Sequence, residues 1–208
     1  MTAAEPLDAV LRDLRACRIC RDAPLYLPGL AHEPRPVIQA SPSARLCIAG
    51  QAPGTRVHAS GKPFTDPSGV RLRGWLGLDE AAFYDAAKVA IIPMGHCFPG
   101  LDRHGGDRPP RRECAPTWRA RVFATLPQVE LVLAIGLYAQ AWHLGRSKAA
   151  SLSATVANWR EILQEPRDPR VLPLPHPSWR NNAWLKRNPW FEAELVPVLR
   201  AEVEKLVG

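Results

Sequence analysis

Residues 45–54 have the sequence RLCIAGQAPG, in which a short apolar run is followed directly by a glycine-rich segment. Three similar apolar runs follow along the chain: KVAIIP at residues 88–93, ELVLAI at 130–135 and RVLPL at 170–174. Such short aliphatic and β-branched runs are typical of strands that are buried on both faces of a parallel sheet. Because helical patterns separate the runs, we predict an α/β fold, a three-layer α/β/α arrangement around a central four-stranded parallel sheet.

The helical patterns flank and separate these four runs. Apolar residues at helical spacing predict helices at residues 5–17, 69–76, 116–125, 138–144, 154–163 and 191–206. Residues 21–43 are rich in proline and predict an extended arm. Residues 99–110, PGLDRHGGDRPP, form a long Gly/Pro-rich connection, and a loop of that length within a compact domain is usually functional. We expect one domain spanning residues 1–208.

The composition is that of an ordinary globular protein, with 46% hydrophobic and 23% charged residues. No apolar run reaches the ~18 residues needed to span a bilayer. Asp8 and Asp13 interrupt the N-terminal stretch, which therefore does not resemble a signal peptide. We expect a cytoplasmic protein without a membrane partner. The net charge of +7 favours binding to nucleic acid, although many basic proteins do not bind it.

Glycine and histidine follow the predicted strands at their carboxyl ends, where open α/β sheets bind ligands. GQAPG at residues 50–54 follows the first strand, Met94 and Gly95 follow the second, Gly136 follows the third, and His176 follows the fourth. Alone, GQAPG also fits a tight turn, and a lone His176 also fits a buried core histidine. Together they predict a ligand site, because glycine lets the backbone approach a ligand closely.

Four of the five cysteines fall into two pairs. Cys17 and Cys20 form a C-x2-C pair, and Cys97 and Cys114 lie far downstream with sixteen residues between them. Cys47 lies inside the first apolar run and is interpreted as a small core residue. In a chain expected to be cytoplasmic, this grouping favours a metal or cluster site over disulfides. Either zinc or an iron–sulfur cluster fits four cysteines.

Two of these segments resemble motifs A and B of the uracil-DNA glycosylase superfamily: GQAPG, and HPSWRN at residues 176–181. GKPF at residues 61–64 and SGVRL at 68–72 resemble the segment after motif A in its family 4 and family 5 enzymes. Those enzymes also carry an N-terminal C-x2-C pair and a second, wider cysteine pair. The resemblance extends from Cys17 to the final helix.

The resemblance implies that the protein hydrolyses the N-glycosidic bond of uracil, or of another deaminated base, in base excision repair of DNA. The base leaves the stack and enters a pocket. Phe64 holds the position of the aromatic ring that stacks on the flipped base, with Gly50 and Gly54 as further substrate contacts. A place for Phe64 in the ordinary core is the alternative.

His176 matches the motif B histidine that donates a hydrogen bond to the charge developing on the leaving base. Gln51 and Ala52 belong to motif A, which lies along the scissile bond and helps to place the attacking water. Asp66 is a carboxylate close behind Phe64. It could orient water, and an ordinary role in a turn fits it equally well.

The residues after His176 correspond to the segment that enters DNA in the family. The predicted DNA contacts are Ser178, Trp179, Arg180 and Asn181, with Trp179 as the inserted wedge. The expected partner is DNA, either single-stranded or double-stranded with a flipped base, and the protein is expected to act as a monomer.

Three positions depart from the family. Ala52 stands where family 1 enzymes have a water-activating Asp. Gly54 stands where they have the Tyr that excludes thymine. Pro93 stands where family 4 enzymes carry an Asn that recognises uracil, so we expect Met94 and Gly95 to supply substrate contacts instead. A glycosylase for deaminated purines and a lesion-binding protein with little turnover are the alternative functions.

The resemblance also implies a metal centre. Cys17, Cys20, Cys97 and Cys114 match the ligands of a structural 4Fe–4S cluster, and a zinc ion is the alternative.

Overall fold

A four-stranded, all-parallel sheet forms the centre of the computed structural model, which describes residues 5–208. Residues 1–4, part of the stretch interpreted above as lacking a signal peptide, lie outside the described residues. The strands are β1 (Leu46–Ala49), β2 (Val89–Ile91), β3 (Leu131–Ile135) and β4 (Arg170–Leu174). Their spatial order is β2-β1-β3-β4. Every neighbouring pair is parallel, so all four carboxyl ends meet at one edge of the sheet.

Successive strand residues point to opposite faces, and helices cover both. On one face, Leu46, Ile48 and their equivalents in the other strands join one hydrophobic core cluster. On the other face, Cys47 and Ala49 join a second cluster. Because both faces are covered, the strands need no polar side, which explains their unbroken apolar sequences. The structure confirms the predicted fold class.

The first cluster packs against the helices of the C-terminal part and of the segment between β1 and β2. These are α4 (Pro67–Leu76), α5 (Glu80–Tyr84), α8 (Leu152–Ala157), α9 (Trp159–Gln164), α10 (Asn182–Arg187) and α11 (Val196–Val207). A π-helical segment, Phe191–Leu195, precedes α11. The aromatic rings of Trp75, Trp184 and Phe191 fill the centre of this layer through edge-on contacts.

The second cluster packs against α1 (Leu7–Arg15), α6 (Cys114–Phe123) and α7 (Gly136–Leu144). A short helix, α2 (Ile19–Asp22), follows α1, and α3 (Thr55–Ser60) follows β1. The proline-rich arm has little regular structure, as predicted, and it joins the sheet edge through backbone hydrogen bonds between Gln39 and Ile91. Among the described residues, no helix has both the length and the apolar character that crossing a bilayer requires.

Candidate active site

A cavity opens at the carboxyl ends of the strands, where the sequence predicted a ligand site. It has about 560 Å³ of empty space when the part that is open to solvent is included. Motif A, Phe64 and His176 line the same cavity. The complete lining is Val37, Gly50, Gln51, Ala52, Pro53, Gly54, Val57, Pro63, Phe64, Asp66, Ser68, Ile91, Pro93, Asp107 and His176.

Motif A continues the hydrogen-bond ladder of the sheet beyond the end of β1. The Met94 N–H donates to the Gly50 carbonyl at 2.9 Å, and the Gly95 N–H donates to the Gln51 carbonyl at 2.8 Å. The Gln51 side chain extends towards the start of α7, where a Cβ built on Gly136 would lie 3.0 Å from its Nε2. Gly136 has a φ of +78°, a left-handed conformation that favours glycine. The motif A backbone is therefore hydrogen-bonded to the segment after β2, while the Gln51 side chain lies against the start of α7.

Phe64 has an unusual backbone, with a φ of 54°, the one non-glycine residue with positive φ among residues 5–208. The Tyr84 hydroxyl donates to the Phe64 carbonyl at 3.2 Å, and any Cβ on Gly69 would overlap that carbonyl. The Phe64 ring packs edge-on against Phe83, with the ring centroids 6.0 Å apart. On its other side the ring lies close to Gly50: a Cβ built on Gly50 would be 3.4 Å from the Phe64 Cζ. A strained residue held by several neighbours is typical of a functional position.

His176 follows β4 and is held in one tautomer. The Ser178 backbone N–H donates to His176 Nδ1 at 3.2 Å. Burial lowers the pKa of His176, and the nearby Asp66 carboxylate opposes that shift. The ring is consequently neutral near pH 7, and because Nδ1 is an acceptor, the proton is on Nε2. His176 thus contributes an N–H donor to the cavity that it lines.

The segment after His176 is anchored at its base and exposed at its tip. The Asn181 side-chain amide donates to the His176 carbonyl at 2.6 Å, and Arg71 donates to the Ser178 carbonyl at 3.2 Å. Trp179 is 71% exposed, and the Arg180 guanidinium lies 5.7 Å from the centre of its ring. Of the four predicted DNA contacts, Trp179 and Arg180 are on the outer surface, whereas Asn181 holds the segment together.

Two carboxylates line the cavity. Asp66 caps α4, and its Oδ1 accepts from the backbone N–H groups of Ser68 and Gly69 at 3.0 and 3.3 Å. Asp107 lies in the long loop between β2 and α6, and no sequence motif includes it. The only signal in the sequence was the loop itself, whose length indicated a function without indicating a residue.

Met94 and Gly95, predicted as substrate contacts, do not line this cavity. Met94 is 5% exposed and belongs to the second hydrophobic cluster, and Gly95 lines a different cavity, which contains the cysteines. Pro93 lines the active-site cavity at the position where family 4 enzymes have their Asn.

The four paired cysteines line that second, largely apolar cavity together. The Cys114 Sγ accepts the backbone N–H of His96 at 3.3 Å, and burial raises the pKa values of Cys97 and Cys114 to about 12. Burial also raises the pKa of Cys20. Within residues 5–208, no three Cys, His, Asp or Glu side chains are already grouped closely enough to hold a metal ion. The four thiols share one cavity without converging on one point.

The cavity lies at the strand ends of an α/β fold, which is where enzymes of this fold class bind their substrates. Its aromatic wall and its neutral histidine donor suit a small, planar polar group. The family model of the uracil DNA glycosylase superfamily matches residues 38–200 of the chain. Because this match covers most of the chain, the chain belongs to that superfamily. Membership makes DNA its substrate and hydrolytic glycosylase chemistry its activity.

Proposed function

We propose that this protein is a DNA glycosylase that excises uracil, or another deaminated base, as the first step of base excision repair. The observation that carries the proposal is the neutral His176, whose Nε2–H donor lines the same cavity as Phe64. A target base cannot be reached inside the duplex, so it must be flipped into this cavity before the reaction.

His176 supplies the electrostatic part of the chemistry. Cleavage of the C1′–N bond leaves negative charge on the base and positive charge on the sugar. A preorganised donor aimed at the developing negative charge lowers the barrier, because the donor needs no reorientation during the reaction. Ser178 fixes the tautomer and Asn181 fixes the backbone of His176, so the donor is held in place before the substrate binds.

Phe64 supplies a flat wall for the flipped base. Its left-handed backbone, the contact with Gly50 and the edge-on packing against Phe83 hold the ring against motif A. Stacking on an aromatic ring is worth about 1–3 kcal/mol per base. The ring would therefore bind a planar base without distinguishing one base from another.

The identity of the base depends on the polar groups around it. Pro93 offers no side-chain donor at the position of the family 4 Asn, whereas Gln51, Ser68 and the backbone of motif A lie at the cavity. Uracil and the deaminated purines share a carbonyl next to a ring N–H, and an amide such as that of Gln51 can pair with both groups. Pro93 is the specific observation that keeps hypoxanthine and xanthine as alternative substrates.

The DNA-binding surface in this proposal is the segment after His176. Trp179 is large, apolar and exposed, as expected of a wedge that replaces a flipped base in the stack. Arg180 lies beside it and can contact phosphate, consistent with the net charge of +7.

A metal centre in the cysteine cavity completes the proposal. Cys17, Cys20, Cys97 and Cys114 are the residues that would hold a 4Fe–4S cluster, because all four line one apolar cavity and thiolates are the ligands that such clusters prefer. The four thiols would have to move closer together to ligate it. Bound iron would supply the positive charge that keeps buried thiols ionised. The centre would be structural, because ligation would fix α2 and both ends of the loop between β2 and α6.

The decisive test of the activity is an assay on oligonucleotides containing uracil, hypoxanthine or xanthine at one position, both single-stranded and paired. Alkaline cleavage of the abasic product reports excision. We expect excision of at least one of these bases, with affinity that falls steeply as salt is raised. Binding without abasic product on every oligonucleotide would instead identify a lesion-binding protein.

The metal centre is tested separately. Protein purified without oxygen should be brown and contain about four iron atoms and four sulfides per chain. One zinc atom in colourless protein would replace the cluster with a zinc site, and the absence of both metals would refute a metal centre.

A further inference from the structure

Hydrolysis needs a group that takes a proton from the attacking water, and few residues of the cavity can do so. Its titratable lining residues within the described part of the chain are Asp66, Asp107 and His176. His176 is assigned as a donor, since its Nδ1 already accepts from Ser178. The amide of Gln51 and the methyl group of Ala52 cannot accept a proton. The choice is between the two carboxylates.

Asp66 is already engaged. Its Oδ1 accepts hydrogen bonds from the Ser68 hydroxyl and from the backbone N–H groups of Ser68 and Gly69, which begin α4. These three hydrogen bonds occupy one of the two oxygens that could otherwise accept a proton from water. They also fix it in the turn that carries Phe64, so its structural role is evident.

Asp107, by contrast, accepts no hydrogen bond and forms no ion pair within residues 5–208. It lies against the motif A backbone, where a Cβ built on Gly54 would be 3.2 Å from its Oδ2. Glycine at position 54 therefore allows this carboxylate to approach. The carboxylate oxygens are therefore free of hydrogen bonds from the described residues, and they lie beside Gly54 at the cavity.

The loop is shaped to present Asp107. The Asp102 carboxylate accepts from the backbone N–H groups of His104 and Gly106 at 2.8 and 2.9 Å, and the Asp102 N–H donates to the Gly106 carbonyl at 2.7 Å. Leu101 and Asp107 then pair as an isolated antiparallel bridge. This closed turn places Asp107 in the cavity and leaves the residues at its tip exposed.

Partial burial, helped by two neighbouring carboxylates, makes Asp107 a stronger base than an ordinary aspartate. Partial burial raises its pKa, Asp66 and Asp102 raise it further, and Arg180 lowers it. A proton acceptor works best when its pKa is nearer to the operating pH. Arg180 also belongs to the segment proposed to bind DNA, so its guanidinium would lie near the DNA phosphates as well as near the Asp107 carboxylate.

We propose that Asp107 is the general base of the reaction, a role that rests on the glycosylase function proposed above. The water oxygen forms a bond to C1′ of the sugar and gives one proton to the Asp107 carboxylate. The C1′–N bond breaks, and its electron pair leaves with the base as an anion that accepts the hydrogen bond from His176 Nε2. The products are an abasic sugar, the base and a protonated Asp107, which then returns its proton to solvent.

The test compares three variants of the full-length protein in single-turnover excision of a base that the wild type removes. Asp107→Asn keeps the size of the side chain and loses its basicity, and Asp107→Ala creates space. Both should lower the rate by about 10²- to 10⁴-fold while DNA affinity, measured by fluorescence anisotropy, stays close to that of the wild type. His104→Ala, on the same loop and outside the cavity, should keep the wild-type rate.

Rescue of the excision rate by added formate distinguishes a general base from a purely structural residue, because formate can replace a lost proton acceptor but not a lost structural contact. Formate can enter the space left in Asp107→Ala and accept the proton, so it should raise the rate of that variant and not that of Asp107→Asn. A wild-type rate in either Asp107 variant overturns the proposal, as does a slow Asp107→Ala that formate does not rescue. A wild type without turnover on any base overturns this proposal together with the glycosylase function.

Discussion

Replacing His176 by alanine removes a hydrogen-bond donor from the cavity and also leaves the Ser178 N–H without its acceptor. The neutral ring has a single N–H, on Nε2, because Nδ1 accepts from Ser178 at 3.2 Å. The bond from Asn181 reaches the backbone carbonyl of His176 and survives the substitution. The loss of one donor of this kind costs about 2.7–4 kcal/mol in the transition state, or roughly 10²- to 10³-fold in rate.

Single-turnover excision, with enzyme in excess over a labelled oligonucleotide, measures this loss without interference from product release. DNA affinity should remain near the wild-type value in His176→Ala, since the substitution does not alter the exposed DNA surface, and a thermal melt checks that the variant is folded at the assay temperature. His176→Gln retains an N–H donor at similar reach and should recover part of the rate. A rate for His176→Ala within about threefold of the wild type, or a loss explained entirely by weaker DNA binding, would refute the donor role.

Three further predictions concern stacking, the wedge and acid stability. Phe64→Ala should lose about 1–3 kcal/mol of stacking, roughly 5- to 150-fold in kcat/KM, and Phe64→Leu should lose less; equal activity of all three proteins would place Phe64 in the ordinary core. Trp179→Ala should slow excision from duplex and leave excision from single strands unchanged, because only the duplex must be unstacked; an equal loss on both substrates would contradict a wedge. Burial, together with the charges of Arg119 and Arg167, lowers the pKa of His143 to about 3. Its neutral form therefore stabilises the fold above about pH 6.5, and this contribution is lost as the pH falls towards 3. His143→Gln cannot titrate, and its thermal midpoint should fall less between pH 7 and 4.5 than that of the wild type; parallel curves for the two proteins would contradict this.

The sheet could be predicted from the sequence because its physical cause is local. Strands covered on both faces must be apolar at every position, and each of the four runs shows this. The end of β2 was less clear. The predicted run continued to Pro93, whereas the strand ends at Ile91. Pro93 has no N–H of its own, but the N–H groups of Ile92 and Met94 donate to Ile48 and Gly50, so hydrogen bonding to the β1 side continues beyond Ile91.

Two helices differ from the prediction because hydrophobic spacing does not show how a helix is interrupted. The pattern at residues 154–163 predicted one helix, and the structure has α8 and α9 separated at Asn158. The pattern at residues 191–206 also predicted one helix, but it begins as a π-helix. Pro197 lies in the first turn of α11 and has no N–H to continue the regular hydrogen bonds backwards.

The candidate site was predictable where residues follow strands directly. GQAPG and His176 lie at the strand ends, and the topology of the sheet brings them to one cavity. Met94 could have been placed correctly from the same alternation, because Ala90, Ile92 and Met94 all belong to the cluster on one face. Asp107 could not be placed, since it depends on a loop whose shape comes from hydrogen bonds of Asp102 rather than from any periodic pattern.

The extension of the ladder into motif A has a consequence for amide hydrogen exchange. The amide protons of Met94 and Gly95 bond to Gly50 and Gln51, so solvent can reach them only when the two neighbouring strands separate. Such amides exchange through the same opening as the core of the sheet and should be among the slowest in the chain. The active-site backbone would then share the stability of the whole domain, and accommodating different bases would depend on side chains and on the surrounding loops.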